Sequence, residues 1–259
     1  MIRVLVNGAR GRMGALACRT IEATEGFVLA GGAGRGEDLA VAIRNAKPDV
    51  VVDFTLPDAV RANALVIVDA GARPVIGTSG LDAATREELA RRCAARRLGG
   101  VIAPNFAIGA ILMMRFAALA ARHLQAVEIL EAHHPGKKDA PSGTAIATAE
   151  AIVAARAEAP SSIPATASRG GQASSTTPPP AADAARGAIH SGIPIHSTRL
   201  PGVIAEQQVV FGELGQKLVI EHVAYGREAY MPGLLLACRK VMTLDRLVVG
   251  LDALLFDSP

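Results

Sequence analysis

The chain contains 259 residues, of which 50% are hydrophobic and 20% charged, and its formal net charge is +3. This length and apolar content suffice for one large core or two modest ones, and we expect two closely packed domains. A charge balance so near neutral excludes the basic stripe of a nucleic-acid-binding protein, and six Phe, two Tyr and no Trp leave few rings on which bases could stack.

The cysteines and the N-terminus indicate where the protein works. Cys18, Cys93 and Cys238 are widely spaced and have no second Cys or His at metal-ligand spacing, so we expect buried, reduced thiols and no metal site. Gly, Arg and Asn interrupt the first apolar run too early for a signal peptide, and the apolar run at 108–114 is too short to span a membrane. These features predict a soluble, cytoplasmic protein with no membrane partner.

The first hundred residues alternate between short β-branched runs and helical patterns. Strands are predicted at 2–6, 27–30, 49–54, 74–76 and 100–103. Helices are predicted at 12–24, 39–45, 59–70 and 82–97, the last with an Asp at its N-cap. This alternation is typical of an α/β fold, a Rossmann-type doubly wound parallel sheet.

The pattern changes after residue 104. An apolar helix at 108–123 precedes a strand at 127–132 and a helix from about 141 to 157, and the Ser-, Thr- and Pro-rich stretch 160–186 predicts a long loop. Strand patterns at 203–211 and 217–224 then indicate an α+β domain with a mixed or antiparallel sheet, and 231–256 is helical in pattern. We predict a dinucleotide-binding domain of residues 1–106 and 227–259, and a substrate-binding and oligomerisation domain of residues 107–226.

A glycine-rich turn follows the first predicted strand. Gly8, Gly11 and Gly14 stand in the sequence GARGRMG, where a helix begins. Glycines at such a turn let the backbone approach a pyrophosphate, which the helix N-terminus attracts. The spacing is G-x-x-G-x-x-G, which differs from the commoner G-x-G-x-x-G, so a glycine turn without a ligand is the alternative.

The end of the second strand decides between the two nicotinamide dinucleotides. An acid there favours NADH, through the ribose 2′-hydroxyl, and an arginine favours the 2′-phosphate of NADPH. The residues are Gly-Gly-Ala-Gly-Arg, from 31 to 35, so no acid is in place, although Glu37 and Asp38 lie slightly beyond. Arg35 together with Arg12 could face a phosphate. The sequence favours NADPH slightly and leaves NADH open.

The most informative segment is EAHHPGKKDAPSGTA, from 131 to 145. It combines two His and two Lys with a Pro-Ser-Gly-Thr opening of a helix, which suits a carboxylate substrate held by charge-assisted hydrogen bonds and the helix dipole. A His or Lys beside that substrate could deliver a proton when hydride arrives. A solvated basic loop with a structural His is the alternative, and neighbouring His side chains diverge too far to share a metal.

Together these blocks resemble the dihydrodipicolinate reductase family, also named 4-hydroxy-tetrahydrodipicolinate reductases. The resemblance runs from GARGRMG at 8–14 through IGTSG at 76–80, APNF at 103–106, HHPGKKDAPSGTA at 133–145 and IPIHSTR at 193–199 to MPG at 231–233. It covers nearly the whole chain, and the His-His-x-x-Lys-x-Asp-Ala-Pro-Ser-Gly-Thr block is highly specific.

The resemblance implies an NADH- or NADPH-dependent reduction of 4-hydroxy-tetrahydrodipicolinate, a small dicarboxylate, in the diaminopimelate route to lysine, by a homotetramer. It implies His133 and Lys137 as the catalytic proton-transfer pair, and substrate contacts from His134, Lys137, Gly143 and Thr144. The implied nucleotide contacts lie in three turns and comprise Gly8, Ala9, Arg10, Gly11, Arg12, Met13, Gly77, Thr78, Ser79, Ala103, Pro104, Asn105 and Phe106.

One position departs from the family pattern. Gly34 stands where some relatives carry the acid that holds the ribose, which puts a preference for NADH in doubt but not the reaction. Two other functions remain open at this stage. One is a dinucleotide-dependent dehydrogenase of another small oxo or imino acid, and the other is a non-enzymatic NAD(P)-binding redox sensor, for which the His133–Thr144 segment would have no use.

Overall fold

The structure is a computed structural model and describes residues 1–158 and 184–256. The chain divides into two compact units, one formed by Met1–Ile108 with Arg227–Pro259 and the other by Gly109–Gly226. Most of the stretch predicted as a loop at 160–186 lies outside the described residues, and its last three residues form a 3₁₀ turn at Ala184–Arg186.

The first unit contains a six-stranded sheet in which every described pairing is parallel. Its strands are β1 Ile2–Asn7, β2 Phe27–Ala33, β3 Val50–Asp53, β4 Arg73–Ile76, β5 Gly100–Ile102 and β11 Leu247–Val249. Their order in the sheet is β11-β5-β4-β3-β1-β2. The chain therefore runs outward from β1 to β2 and crosses back to β3, which places the crevice of a doubly wound sheet at the ends of β1 and β3. The predicted fold class is confirmed.

The helices of this unit have amphipathic patterns that bury one side. They are α1 Arg12–Ala23, α2 Leu39–Ala46, α3 Pro57–Asp69, α4 Ala83–Arg96, α7 Met231–Lys240 and α8 Asp252–Phe256. Two begin with an acidic cap: the carboxylate of Asp38 accepts the N–H of Val41, and that of Asp82 accepts the N–H of Thr85 at 2.7 Å. These caps satisfy backbone donors that a helix leaves without an internal partner.

Two predictions about this sheet were incomplete. Strand β2 continues to Ala33, beyond the predicted 27–30, because Gly31, Gly32 and Ala33 pair with the last residues of β1. The C-terminal segment is not helical throughout, since β11 pairs in parallel with β5 at the sheet edge. Three residues are too short a run to reveal a strand by local periodicity.

The second unit contains a five-stranded mixed sheet and two long helices. Its helices are α5 Ile108–Ala120, whose first residue belongs to the first unit, and α6 Gly143–Glu158, and its strands are β6 Ala126–His133, β7 Ala188–His190, β8 Ile193–Arg199, β9 Ala205–Glu213 and β10 Gln216–Ala224. The order is β10-β9-β6-β8-β7, with β6 parallel to β8 and antiparallel to β9. Strands β7 and β8 were not predicted.

The core of this unit lies between the two helices and one face of the sheet. Side chains of α5 and α6 pack there against alternate residues of β6, β8 and β9, including Ile129, Ile195 and Phe211. Glu131 follows on the same face two residues after Ile129 and is buried with it. Among the residues that the structure describes, no helix is both long and apolar enough to cross a bilayer.

Candidate functional site

The turn between β1 and α1 has the geometry that the glycines predict. Gly8 has a φ of +86°, which favours glycine, and its carbonyl accepts the N–H of Gly11 at 2.9 Å. A Cβ on Gly14 would lie 2.1 Å from the same carbonyl oxygen, so the helix can approach the turn only without a side chain there. Arg12, Met13 and Gly14 form the first turn of α1, at the positive end of its dipole.

A cavity of about 500 Å³ opens at this turn. Four of the predicted nucleotide contacts line it, namely Gly8, Arg10, Gly11 and Arg35. The other lining residues are Asn7, Gly34, Glu37, Phe54, Thr55, Leu56, Ala59 and Asn63. A cavity of this size, beside a glycine turn and a helix N-terminus at the crevice of the sheet, fits the adenosine and pyrophosphate part of a dinucleotide.

An acid does lie near the end of β2, although it is not at position 34. The Gly34 N–H donates to a carboxylate oxygen of Glu37 at 2.6 Å, and the other oxygen pairs with the Arg10 guanidinium. Arg10 and Arg35 line this cavity, whereas the sequence suggested that Arg12 together with Arg35 could face a phosphate. Glu37, which the sequence places slightly beyond the strand, is four residues past the end of β2 and three past Gly34.

A buried carboxylate joins the ends of three strands beneath the cavity. Asp53 is 0% exposed and accepts hydrogen bonds from the amide of Asn7 at 2.9 Å, the amide of Asn63 at 3.0 Å and the hydroxyl of Thr78 at 2.6 Å. The hydroxyl of Thr55 donates to it as well, at 2.7 Å. Sequence reasoning missed this network, although an acid that ends the apolar run Val-Val-Val could have indicated it.

Two further predicted turns lie at the ends of β4 and β5. Gly77 faces the rings of Phe54 and Phe106, and a Cβ on Gly77 would come within 2.3 Å of the first. The two rings meet edge to face with their centroids 5.8 Å apart. Ser79 continues the first turn after Thr78, while Ala103, Pro104 and Asn105 precede Phe106 in the second. The carboxyl ends of parallel strands are where ligands of such sheets bind.

The second unit carries a buried carboxylate of a different kind. Glu131 is 2% exposed, and both of its oxygens accept hydrogen bonds at 2.9 Å from the guanidinium of Arg199, on the neighbouring strand β8. The backbone N–H of Ser142 donates to it at 3.1 Å. Burial disfavours ionisation of Glu131, but hydrogen bonds from Arg199, Ser197 and His133 outweigh it and hold the pKa below its usual value.

The same carboxylate positions His133. The Nδ1 atom of His133 lies 2.6 Å from Oε2 of Glu131. Since an ionised carboxylate only accepts hydrogen bonds, Nδ1 carries the proton and Nε2 is the nitrogen that can exchange a proton with a ligand. Burial lowers the pKa of His133 below its ordinary value, and the contact with Glu131 offsets only part of this effect.

The remaining predicted substrate contacts lie between His134 and Thr144. The Nζ atom of Lys137 donates to both oxygens of Asp139, at 2.9 and 2.8 Å, and this contact lowers the pKa of Asp139. Gly143 and Thr144 form the first turn of α6, whose start is capped by Ser142 through its hydroxyl and the N–H of Ala145. His134 is the first residue of a turn in which its carbonyl accepts a hydrogen bond from the N–H of Lys137.

The structure therefore brings His133 into contact with two residues that sequence reasoning had not assigned to it. Glu131 was part of the predicted segment but had no role, and the sequence suggested for Arg199 that it could help orient the acidic substrate or brace the site. Arg199 lies 68 residues from Glu131 in the chain, and the parallel pairing of β6 with β8 places them together. A pair so distant leaves no local pattern in a single sequence.

Comparisons with known proteins agree with this architecture. A family model described as dihydrodipicolinate reductase, N-terminus, matches residues 2–106, and one described as dihydrodipicolinate reductase, C-terminus, matches 109–255. The chain is 47% identical over 253 residues to the 4-hydroxy-tetrahydrodipicolinate reductase of Legionella pneumophila (strain Lens), which covers 98% of this chain and 99% of the relative. It is 46% identical over 254 residues to the protein of the same name from Coxiella burnetii (strain Dugway 5J108-111), with the same coverage.

Solved structures give the same result. The dipicolinate-bound dihydrodipicolinate reductase from Paenisporosarcina sp. TG-14 superposes with a TM-score of 0.81 and 37% identity, over 97% of this chain and 98% of that one. A probable dehydrogenase from Thermotoga maritima, at a TM-score of 0.62 and 11% identity, shares the fold alone. The extent and identity of these matches confirm the resemblance found in the sequence: the chain belongs to the dihydrodipicolinate reductase family.

Proposed function

We propose that this chain uses NAD(P)H to reduce 4-hydroxy-tetrahydrodipicolinate to tetrahydrodipicolinate in lysine and diaminopimelate biosynthesis, with His133 and Lys137 as the proton-transfer pair. Proteins of this family are NAD(P)H-dependent oxidoreductases that act on a small molecule. The observation that carries the residue assignment is the 2.6 Å contact between Glu131 and His133, which fixes one tautomer of an imidazole in the same segment as Lys137 and the start of α6.

The substrate dicarboxylate would be held by His134, Lys137, Gly143 and Thr144. In the structure the Lys137 ammonium is paired with the carboxylate of Asp139. A substrate carboxylate can replace Asp139 as the partner of Lys137, because the Asp139 side chain is exposed. Gly143 has open space where a Cβ would stand, so a ligand oxygen can approach the helix terminus. The positive end of the α6 dipole adds to the attraction for a negative group.

The reduced nicotinamide supplies the hydride, and the chain supplies the proton. With Nδ1 held by Glu131, the Nε2 atom of His133 gives up a proton when the ring is charged, and Lys137 is the second donor of the segment. Glu131 stays ionised throughout because Arg199 compensates its charge. The arrangement resembles other buried carboxylates that orient a reactive imidazole.

For the cofactor we propose contacts from the three turns of the first unit and from Arg35, which follows β2. The proposed residues of the three turns are Gly8, Ala9, Arg10, Gly11, Arg12, Met13, Gly77, Thr78, Ser79, Ala103, Pro104, Asn105 and Phe106. Both NADH and NADPH are accepted, with a slight preference for NADPH that Arg10 and Arg35 of the cavity support. Residues 1–106 and 227–259 would form the nucleotide-binding domain, and residues 107–226 the domain for substrate and subunit association.

We also propose a homotetramer. The sheet face opposite α5 and α6 carries Leu130 and Val219, which are 42% and 41% exposed, and such apolar surface suits contact with another subunit. Light scattering during size-exclusion chromatography measures the mass. A monomeric mass at micromolar concentration would contradict this part of the proposal.

The activity test measures initial rates of NADH and NADPH oxidation with freshly generated 4-hydroxy-tetrahydrodipicolinate. We expect turnover with both nucleotides. A panel of other small oxo and imino acids serves as the comparison, because turnover of one of those compounds in place of 4-hydroxy-tetrahydrodipicolinate would overturn the proposed substrate.

The residue test replaces His133 and Lys137 separately with Ala. Loss of a proton-transfer group costs roughly 10²- to 10⁴-fold in kcat. The Kd of NAD(P)H should stay unchanged, since both residues belong to the second unit. His190→Ala is a matched control on the surface of that unit, where His190 contacts Glu150. Full turnover in both variants would remove the assignment.

A further inference from the structure

We propose that Glu37 sets the balance between NADH and NADPH, because its carboxylate occupies the anion position that the 2′-phosphate of NADPH requires. This inference rests on the proposed nucleotide role of the cavity at the β1–α1 turn. It concerns the departure from the family pattern at Gly34, where no acid stands in the sequence.

The local backbone explains how Glu37, three residues after Gly34, can reach the end of β2. The N–H of Glu37 donates to the carbonyl of Gly34 at 3.1 Å, so residues 34–37 form a tight turn. Gly36 has a φ of +84°, which this turn requires and which glycine adopts without strain. The Glu37 side chain folds back over the turn as a result, and one oxygen lies 2.6 Å from the Gly34 nitrogen.

Both carboxylate oxygens have a donor in this position. One accepts the Gly34 N–H, and the other pairs with Arg10. A carboxylate can accept about four hydrogen bonds, so Glu37 retains capacity for the 2′-hydroxyl of NADH without moving. It therefore performs the task of the acid that some relatives carry at position 34.

A 2′-phosphate would meet the same two donors but also the negative charge of Glu37. Like charges at hydrogen-bond distance repel, so NADPH must displace the carboxylate and take over the Gly34 N–H and the Arg10 guanidinium. Displacing the Glu37 carboxylate from Arg10 costs little free energy because the ion pair is exposed: 70% of the Arg10 side chain and 43% of the Glu37 side chain are accessible to solvent. Arg35, which lines the same cavity, adds a further positive charge for the phosphate.

The test measures Kd for NADH and for NADPH separately, by isothermal titration without substrate. Glu37→Gln keeps the shape but removes the charge, so it weakens the ribose contact and ends the competition with phosphate. We expect the Kd of NADH to rise and that of NADPH to fall, each by roughly fivefold to tenfold, as suits one charge-assisted hydrogen bond. Arg10→Gln should weaken NADPH more than NADH.

A second variant and a control make the result specific. In the Glu37→Gln background, Gly34→Glu should restore NADH binding, because it places a carboxylate at the position where some relatives carry the acid. A Cβ at position 34 would lie 3.6 Å from Arg10, an ordinary van der Waals distance, so the side chain fits there. Glu87→Gln, which alters an exposed glutamate on α4, should leave both Kd values unchanged. An unchanged ratio of the two Kd values in Glu37→Gln would overturn this inference alone. Failure of the unaltered protein to bind either nucleotide would instead overturn the nucleotide role of the cavity.

Discussion

Within the described residues, each unit buries a carboxylate near the carboxyl end of a strand, and these two carboxylates have different partners. Asp53 ends β3 and accepts hydrogen bonds from neutral amides and hydroxyls that lie at or after strand ends or on helix α3. Glu131 lies near the end of β6 and accepts hydrogen bonds from the Arg199 guanidinium and from the imidazole of His133.

The difference shows that a buried carboxylate can have two roles, which depend on its hydrogen-bond partners. With neutral donors, a buried carboxylate fixes loops, which suits a unit whose proposed task is to present backbone groups to a nucleotide. With a cation and an imidazole, it fixes one reactive side chain and influences the pKa of that side chain. The substitutions below separate these purposes, because each should affect one unit and spare the other.

The largest effect is expected for Arg199→Met. This change leaves the Glu131 carboxylate buried without its charged partner, which typically costs about 3–5 kcal/mol of stability. Hydrogen exchange of peptides from β6 and β8 during urea titration measures the loss in the second unit. Adding Glu131→Gln should recover much of it, since no buried charge remains. A loss below about 1 kcal/mol for Arg199→Met would show that the pair is not structurally important.

The next effect concerns Glu131→Gln and the pH dependence of turnover. Glu131 raises the pKa of His133 against the opposing effect of burial, so its removal lowers that pKa further. Because the charged ring gives up the proton, kcat falls as pH rises through the pKa of His133, and in the variant this fall should begin at lower pH. At neutral pH we expect a loss of roughly tenfold or more.

The matched control for this experiment is Glu128→Gln. Glu128 lies on the same strand, and its carboxylate accepts hydrogen bonds from His196 and Arg186 at the surface. Its replacement should leave the pH profile in place. A profile of the Glu131 variant that coincides with the unaltered one would refute the positioning role, even if the variant were less stable.

A smaller effect is expected for Asp53→Asn in the first unit. The amide presents a donor where the carboxylate accepted, so at least one buried donor among Asn7, Asn63 and Thr78 loses its partner, at a cost of about 1–3 kcal/mol. The Kd of NAD(P)H should rise as the loops loosen, while the pH profile keeps its shape. Asp69→Asn, at an exposed ion pair with Arg92, is the control. Unaltered stability and Kd would contradict the bracing role.

The smallest effect on stability is expected for Glu37→Gln. Exposed ion pairs contribute about 0–1 kcal/mol, so thermal unfolding should shift by little, in contrast to the two buried carboxylates. A large drop in Tm would mean that Glu37 holds the fold together, and changes in nucleotide preference could then not be assigned to the local exchange of anions.

Much of the fold could be predicted because local periodicity decides it. The alternation of apolar runs and helical patterns gave the doubly wound sheet, and the Asp caps marked where α2 and α4 begin. Strands β8 and β11 escaped prediction for a common reason. Each exists because a distant segment pairs with it, β6 in the first case and β5 in the second, and Pro194 within β8 also weakens its local pattern.

The sequence by itself determined the glycine turn at Gly8, the His133–Thr144 segment and the family, since each depends on residues that are neighbours in the chain. Only the tertiary structure decided that Arg199 compensates Glu131, that Asp53 braces three strand ends and that Glu37 covers the position left empty by Gly34. These contacts form when strand pairing or a turn brings separated residues together, and their energies depend on burial, which a linear pattern does not contain.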